Sequence, residues 1–329
     1  MSHNDPLALG TLSQQAQSLC TALDQIILDR PEVTQLVVAA FIAGGHVLLE
    51  GLPGLGKTVF SKAFAQLTDL TYKRIQFTPD LLPADITGSH ILEETPQGRQ
   101  LRFIPGPVFT HFLLADEINR GSPKTQAALL EAMGEGSVTQ LGETRRLSPP
   151  FFVLATQNPI ELEGTNPLPE AQLDRFAIKI NVPSTAEHTL FKIIQNGETV
   201  TPNPPRLLSL AQVQALQQAV AQIFLPEAVA HLIARLVYST HQALPGLNQP
   251  IRYGASPRAA IWLARMARAL ALLDGRPGVG FDDITRVAPA VLGHRLILHY
   301  HARLEGITHT ALINKLMTQA EQQVLALNT

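Results

Sequence analysis

The residues best suited to chemistry stand in three short runs, each closing an apolar stretch of this 329-residue chain. The first, Gly51-Leu-Pro-Gly-Leu-Gly-Lys57-Thr58, has the spacing G-x-x-x-x-G-K-[ST]. Glycines at these intervals let backbone N–H groups turn inward around phosphate oxygens, and a helix opening at Thr58 adds its partial positive charge. Lys57 would reach the β- and γ-phosphates of a nucleotide, and the Thr58 hydroxyl would ligate Mg2+. The second run, Phe112-Leu-Leu-Ala-Asp116-Glu117, ends in two acids. Asp116 would hold Mg2+ through its water shell, and Glu117 would polarise an attacking water as general base. The third, Phe151-Phe-Val-Leu-Ala-Thr156-Gln157-Asn158-Pro159, ends in polar residues at the same rim. An amide there would hydrogen-bond the γ-phosphate and the lytic water. Thr156, Gln157 and Asn158 are all eligible by chemistry alone, and an Asn before Pro also suits a turn.

These runs need strands to carry them. Segments 46–50, 71–77, 112–116, 151–156 and 178–182 have strand length, and three of them are apolar on consecutive residues. That is the pattern of strands covered on both faces, as in a parallel sheet. Helical stretches at 58–67 and 123–134 lie between them, so the expected class is α/β, doubly wound. Two helices, over 11–30 and 32–43, precede the sheet. Residues 78–107 are rich in Pro and Gly and read as an insert. Residues 134–150 read as a hairpin around Gly142. After Val182 the pattern changes. Pro202, Pro204 and Pro205 mark a linker, and helical periodicity follows at 209–223, 226–243, 257–273 and 309–327. The division expected is a nucleotide-binding core over 1–200 and a small all-helical part over 201–329. Pro289 would kink or end any helix begun at Asp282.

Composition narrows the classes. Hydrophobic residues make up 45% and charged residues 16%, enough for a sizeable core. The formal net charge of −2 disfavours a strongly basic nucleic-acid binder. A single cysteine, Cys20, excludes an internal disulfide framework and suits a reducing compartment. The start MSHNDPLALG has no signal-peptide pattern, and Leu36 to Leu49 is too short to span a bilayer. A cytoplasmic protein without membrane insertion is expected. His299 and His301 lack an accompanying acid–histidine set for zinc. Arg145 and Arg146 read as part of a solvated hairpin turn.

At these residues the chain resembles the AAA+ ATPases, and specifically the MoxR family, over about 25–325. GLPGLGKT is similar to the first nucleotide motif of that family and LLADEINR to the second. FTPDLLPADITG (77–88) resembles the segment opening an insert within helix 2. ATQNPIELEGTNPLPEAQLDRF (155–176) resembles the stretch from sensor 1 to the arginine finger, and GASPRA (254–259) resembles sensor 2. The resemblance implies an AAA+ P-loop core with a parallel sheet and helix-2 insert, followed by a helical lid, using ATP and Mg2+. It implies nucleotide contacts from Gly51, Pro53, Gly54, Leu55, Gly56, Lys57, Thr58 and Val59, with Thr58 and Asp116 at the metal. Beside Glu117 it makes Asn158 the sensor 1 residue, Arg175 the finger and Arg258 the sensor 2 arginine. The segment around Asp29 would border the adenine. A homo-oligomeric ring is implied, typically a hexamer, working with a von Willebrand factor A domain protein on protein clients in maturation, metal insertion or assembly. The alternative is a nucleic-acid motor or loader of the same branch, which the charge counts against. A slow nucleotide-gated switch is a third reading, opposed by Glu117.

Overall fold

Phe112, Leu113, Leu114 and Ala115 are all fully buried, although neighbours on a strand face opposite sides of a sheet. Both sides are covered. Phe112 and Leu114 join one apolar cluster, and Leu113 and Ala115 join another. Phe152 and Leu154 against Val153 and Ala155 repeat the division on the neighbouring strand.

The computed structural model describes residues 6–26, 30–51, 57–96, 98–159, 165–183, 187, 191, 194–195, 205–242 and 249–327. Helices α1 (Pro6–Ile26) and α2 (Pro31–Ile42) lead into β1 (Val47–Glu50), α3 (Lys57–Leu67) and β2 (Tyr72–Gln76). Then come α4 (Pro83–Thr87), β3 (Gly88–Thr95), β4 (Gly98–Pro105), β5 (Phe112–Asp116) and α5 (Pro123–Glu135). β6 (Ser137–Gln140), β7 (Glu143–Arg146), β8 (Phe152–Gln157), α6 (Glu170–Leu173) and β9 (Ile178–Asn181) follow. The main sheet runs β2-β5-β8-β1-β9, every pair parallel. On one face, Phe41 meets Phe64 at 4.9 Å and Phe152 at 5.2 Å, both edge-on, which is the favoured geometry for aromatic rings.

The insert over 78–107 is α4 followed by the β3/β4 hairpin, paired from Gly88↔Pro105 to Thr95↔Gly98. Gly88 has φ +95 and a Cβ there would lie 2.3 Å from the Ile104 carbonyl oxygen, so only glycine fits where helix becomes strand. The expected hairpin over 134–150 is β6/β7, turning through Leu141 (φ 49) and Gly142 (φ 81). Two successive positive φ values match the turn whose twist suits paired strands. One expectation changes here. Arg145 is no solvated turn residue: its guanidinium lies 4.0 Å from the centroid of the Phe103 ring. The two hairpins also meet where the Gln140 amide donates to Thr87 Oγ1 at 2.7 Å and Gly88 O at 2.8 Å.

The later part is helical: α7 (Leu210–Gln222), α8 (Glu227–Ser239), α9 (Pro257–Leu273), α10 (Phe281–Leu292), α11 (Tyr300–Leu304) and α12 (His309–Leu327). It also carries one short antiparallel pair, β10 (Ile251–Tyr253) with β11 (Ile297–Leu298), which the helical periodicity did not foretell. Pro289 does not end α10. Val287, Val291 and Leu292 on either side are fully buried, and this packing outweighs the single missing N–H donor. Apolar residues of α7 to α10 and α12 share one core cluster with α1 to α3. A Cβ on Gly45 would lie 2.5 Å from the Ala177 Cβ and 2.8 Å from the Trp262 ring, so glycine permits the close seating of α9 there. Most of the Pro-rich linker expected over 197–206, and Asp29, lie outside the described residues.

Candidate functional site

The acid pair stands at the carboxyl end of β5, on the side of the sheet where β1 delivers Gly51. In an open parallel sheet this rim is where ligands bind. Gly51 is buried, and its N–H donates to Gln157 O at 3.1 Å, fixing the first residue of the phosphate-loop sequence against β8. Pro53, Gly54, Leu55 and Gly56 lie outside the described residues, as does the Lys57 side chain. Lys57 is the first residue of α3, with Thr58 exposed in its opening turn and Val59 52% exposed beside it.

Asp116 has 12% of its side chain exposed. Its Oδ1 accepts the Thr156 hydroxyl at 2.6 Å and its Oδ2 accepts Arg74 Nη2 at 2.7 Å. The same Thr156 oxygen accepts the Glu117 backbone N–H at 2.8 Å, so one hydroxyl links both acids. Glu117 sits in the left-handed region, φ 55 and ψ 49. Its Oε2 accepts Gln76 Nε2 at 2.9 Å and Arg120 Nη1 at 3.0 Å. Arg74 also donates to Gln76 Oε1 at 2.8 Å. Thus β2, next to β5, supplies a partner for each acid. Thr156, one of the three eligible polar residues at the end of β8 and just after it, is committed to the acid pair. Asn158 is 5% exposed, and its carbonyl accepts Asn119 Nδ2 at 3.1 Å.

Arg175, and Asp174 to which Arg258 is tied, lie away from that rim. β9 runs parallel to β1 with Val47↔Ile178 and Glu50↔Asn181 in register. Arg175 comes before β9, whereas the phosphate loop follows β1. The three steps between those register positions alone separate the two ends by about 10 Å. Arg175 Nη1 donates to Leu130 O at 2.6 Å on α5. Arg258, second in α9, meets Asp174 Oδ2 at 3.2 Å, and Arg295 Nε meets Asp174 Oδ1 at 2.7 Å. Burial pulls the Arg295 guanidinium below its usual range, and Asp174 opposes that shift.

Sequence reasoning passed over Arg74, Gln76, Arg120 and Arg295. The alternation of Arg74 and Gln76 on β2 was the one available signal, and it gains meaning only with β2 placed beside β5. His299 and His301 stack at 5.3 Å, and among the described residues no group of three or more His, Cys, Asp or Glu side chains could hold a metal. Cys20 packs against the core, and burial together with Asp24 pushes its thiol up to about 12. Among the described residues no helix is long and apolar enough to cross a membrane.

Comparison with known proteins agrees with this geometry. The family model for ATPases associated with various cellular activities (AAA) matches residues 46–178, and that for the AAA lid domain matches 248–316. The uncharacterised protein YeaC of Bacillus subtilis (strain 168) is 41% identical over 304 residues, 92% of this chain and 93% of its own length. Chaperone MoxR1 of Mycobacterium tuberculosis is 42% identical, over 92% of this chain and 81% of that protein. A crystal structure of a candidate ATPase from Cytophaga hutchinsonii superposes with a TM-score of 0.85 at 37% identity, covering 94% of this chain and 95% of that one. With its sheet order, its acid pair and these relatives spanning nearly its whole length, the chain belongs to the MoxR family of AAA+ ATPases.

Proposed function

We propose that the protein is an ATP-hydrolysing, chaperone-like remodeller that works in the cytoplasm as a homo-oligomeric ring, a hexamer, on other proteins. The reading carries over what the name of its mycobacterial relative states, that of a chaperone. A von Willebrand factor A domain protein is the expected co-partner, and maturation or assembly of protein complexes the expected task. The core spans 1–200 and the lid 201–329.

The observation that carries the hydrolytic part is the acid pair, fixed by Thr156 and held by Arg74, Gln76 and Arg120. Lys57 and the loop residues Gly51, Pro53, Gly54, Leu55 and Gly56 bind the phosphates, with Val59 beside the nucleotide. The residues present suit Mg2+: an oxygen-only set of Thr58 and Asp116, the latter already balancing a cation in Arg74. When bound, Mg2+ would neutralise charge on the phosphate oxygens. Glu117 takes the proton from water as its oxygen bonds to the γ-phosphorus, and the bond to the bridging oxygen breaks, leaving its electron pair on ADP. Gln76 and Arg120 both hold Oε2, which leaves Oε1 to take the proton. Asn158 orients the water and the γ-phosphate.

Arg175 and Arg258 serve the nucleotide of the neighbouring subunit. Their place at the far end of β9 from the chain's own phosphate loop supports both assignments. The test mixes Arg175→Ala with Glu117→Gln protein under subunit exchange. Each is nearly inactive alone, and random pairing restores intact seams up to about a quarter of the total. No recovery, with exchange shown independently, refutes the assignment across the seam. Stimulation by DNA would instead favour a nucleic-acid motor.

A further inference from the structure

Asp174 precedes Arg175 and commits its whole carboxylate to the helical part of the chain. Oδ1 accepts Arg295 Nε at 2.7 Å, while Oδ2 accepts Ser256 Oγ at 3.0 Å and Arg258 Nη1 at 3.2 Å. Its two arginines differ in kind. The Arg295 side chain is 2% exposed, and its guanidinium also donates to the carbonyls of Asp174, Phe176, Ala177 and Val291. It is locked. The Arg258 side chain is 53% exposed and meets Asp174 through one nitrogen. Its remaining N–H donors are therefore available to an anion arriving from outside. Ser256 stands at the N-cap position of the helix that carries Arg258 and gives its hydroxyl to Asp174 rather than to the helix, so Oδ2 grips both ends of the Ser256–Arg258 turn.

We propose that Asp174 is a positioning residue for phosphoryl transfer in the neighbouring subunit, holding Arg258 so that its remaining N–H donors meet a phosphate group there. The proposal rests on the reading that both arginines act across the seam. One oxygen anchored by a buried, locked arginine leaves the other free to orient an exposed one. An arginine pinned at one corner loses less rotamer freedom when it engages phosphate. Asp174 thus works through Arg258, and its effect belongs to the transition state rather than to ATP binding.

The experiment is a double-mutant cycle combined with subunit mixing. Asp174→Asn is expected to lower kcat about tenfold, with KM for ATP within about twofold, and to add less than twofold in an Arg258→Ala background. Mixed with Glu117→Gln protein, Asp174→Asn is expected to recover hydrolysis, as Arg258→Ala does, because the deficient subunit's own Glu117 site is intact. An equal loss in both backgrounds overturns the proposal. So does recovery with Arg258→Ala but not with Asp174→Asn, since Asp174 would then serve its own subunit. Failure of the Arg258→Ala mixture strikes the seam reading itself, and the proposal falls with it. Should Asp174→Asn alone leave Arg295 buried without a counter-ion and fail to fold, Asp174→Asn/Arg295→Gln is compared with Arg295→Gln, and the same outcomes apply.

Discussion

Acid should loosen this fold through one histidine in particular. His46, just ahead of β1, is buried, its Nδ1 accepting Val153 N–H at 3.1 Å and its Nε2 donating to Met133 O at 3.3 Å. Both nitrogens are used by the neutral ring, and burial pulls its pKa down to about 4. In the unfolded chain the value is about 6.5. Above that pH neither state binds the proton. As pH falls through 6.5 the unfolded state takes it up while the folded state does not, so stability is lost down to about pH 4. The full difference is about 3 kcal/mol, of which about 2 kcal/mol falls between pH 7 and pH 5. His294, also buried and pulled well below its usual range, adds in the same direction. Urea unfolding of the full chain at both pH values, followed by Trp262 fluorescence, measures this, because Trp262 is the only tryptophan and borders Gly45. His46→Asn keeps an acceptor for Val153 but strips Met133 of its donor, at a cost of about 1–3 kcal/mol at pH 7. The drop from pH 7 to pH 5 should then shrink by about 2 kcal/mol. The same drop in both proteins would show that His46 is not the acid-sensitive group.

Two further outcomes concern catalysis. Glu117→Gln leaves Thr156, Asp116 and α3 in place, so ATP should bind normally in calorimetry while turnover falls at least about a hundredfold. A rate within about twofold of the unaltered protein would put the base elsewhere. Gly134→Ala would set a methyl carbon 2.3 Å from Arg175 Nη1 and push the guanidinium off Leu130 O. The α5 helix should tolerate or welcome alanine by about 1 kcal/mol, yet kcat should fall about tenfold. An unchanged kcat would mean that the Leu130 contact does not set the working position of Arg175.

The strands bearing the acids were legible because burial on both faces leaves a local mark, four apolar residues in succession. The phosphate-loop spacing is legible for a similar reason: all its parts lie within eight residues. Partners joined through space were not. Arg74 and Asp116 are separated by 42 positions and meet because β2 lies beside β5, a consequence of sheet order that no window of sequence carries. Arg145 looked solvated until the two hairpins came together and put Phe103 under it. Pro289 shows the converse case: of the two expectations, kink or end, the helix does not end there. The local rule is sound, and buried neighbours overrode it.

The left-handed backbone at Glu117 has a consequence for what that position can become. Along an extended strand, consecutive side chains have opposite parity, and two acids in a row would look out of opposite faces. Here Asp116 reaches Arg74 and Glu117 reaches Gln76, two residues that share parity on β2 and touch each other. The positive φ resets the count by one. Position 117 is therefore constrained twice, by its carboxylate and by its main chain. Val, Ile or Thr would resist the turn by about 1–2 kcal/mol and return the side chain to the wrong face even before their chemistry mattered. Asn and Gly accept such a backbone readily but shorten or erase the reach to Gln76 and Arg120. Few residues other than glutamate and glutamine can both make the turn and span the gap.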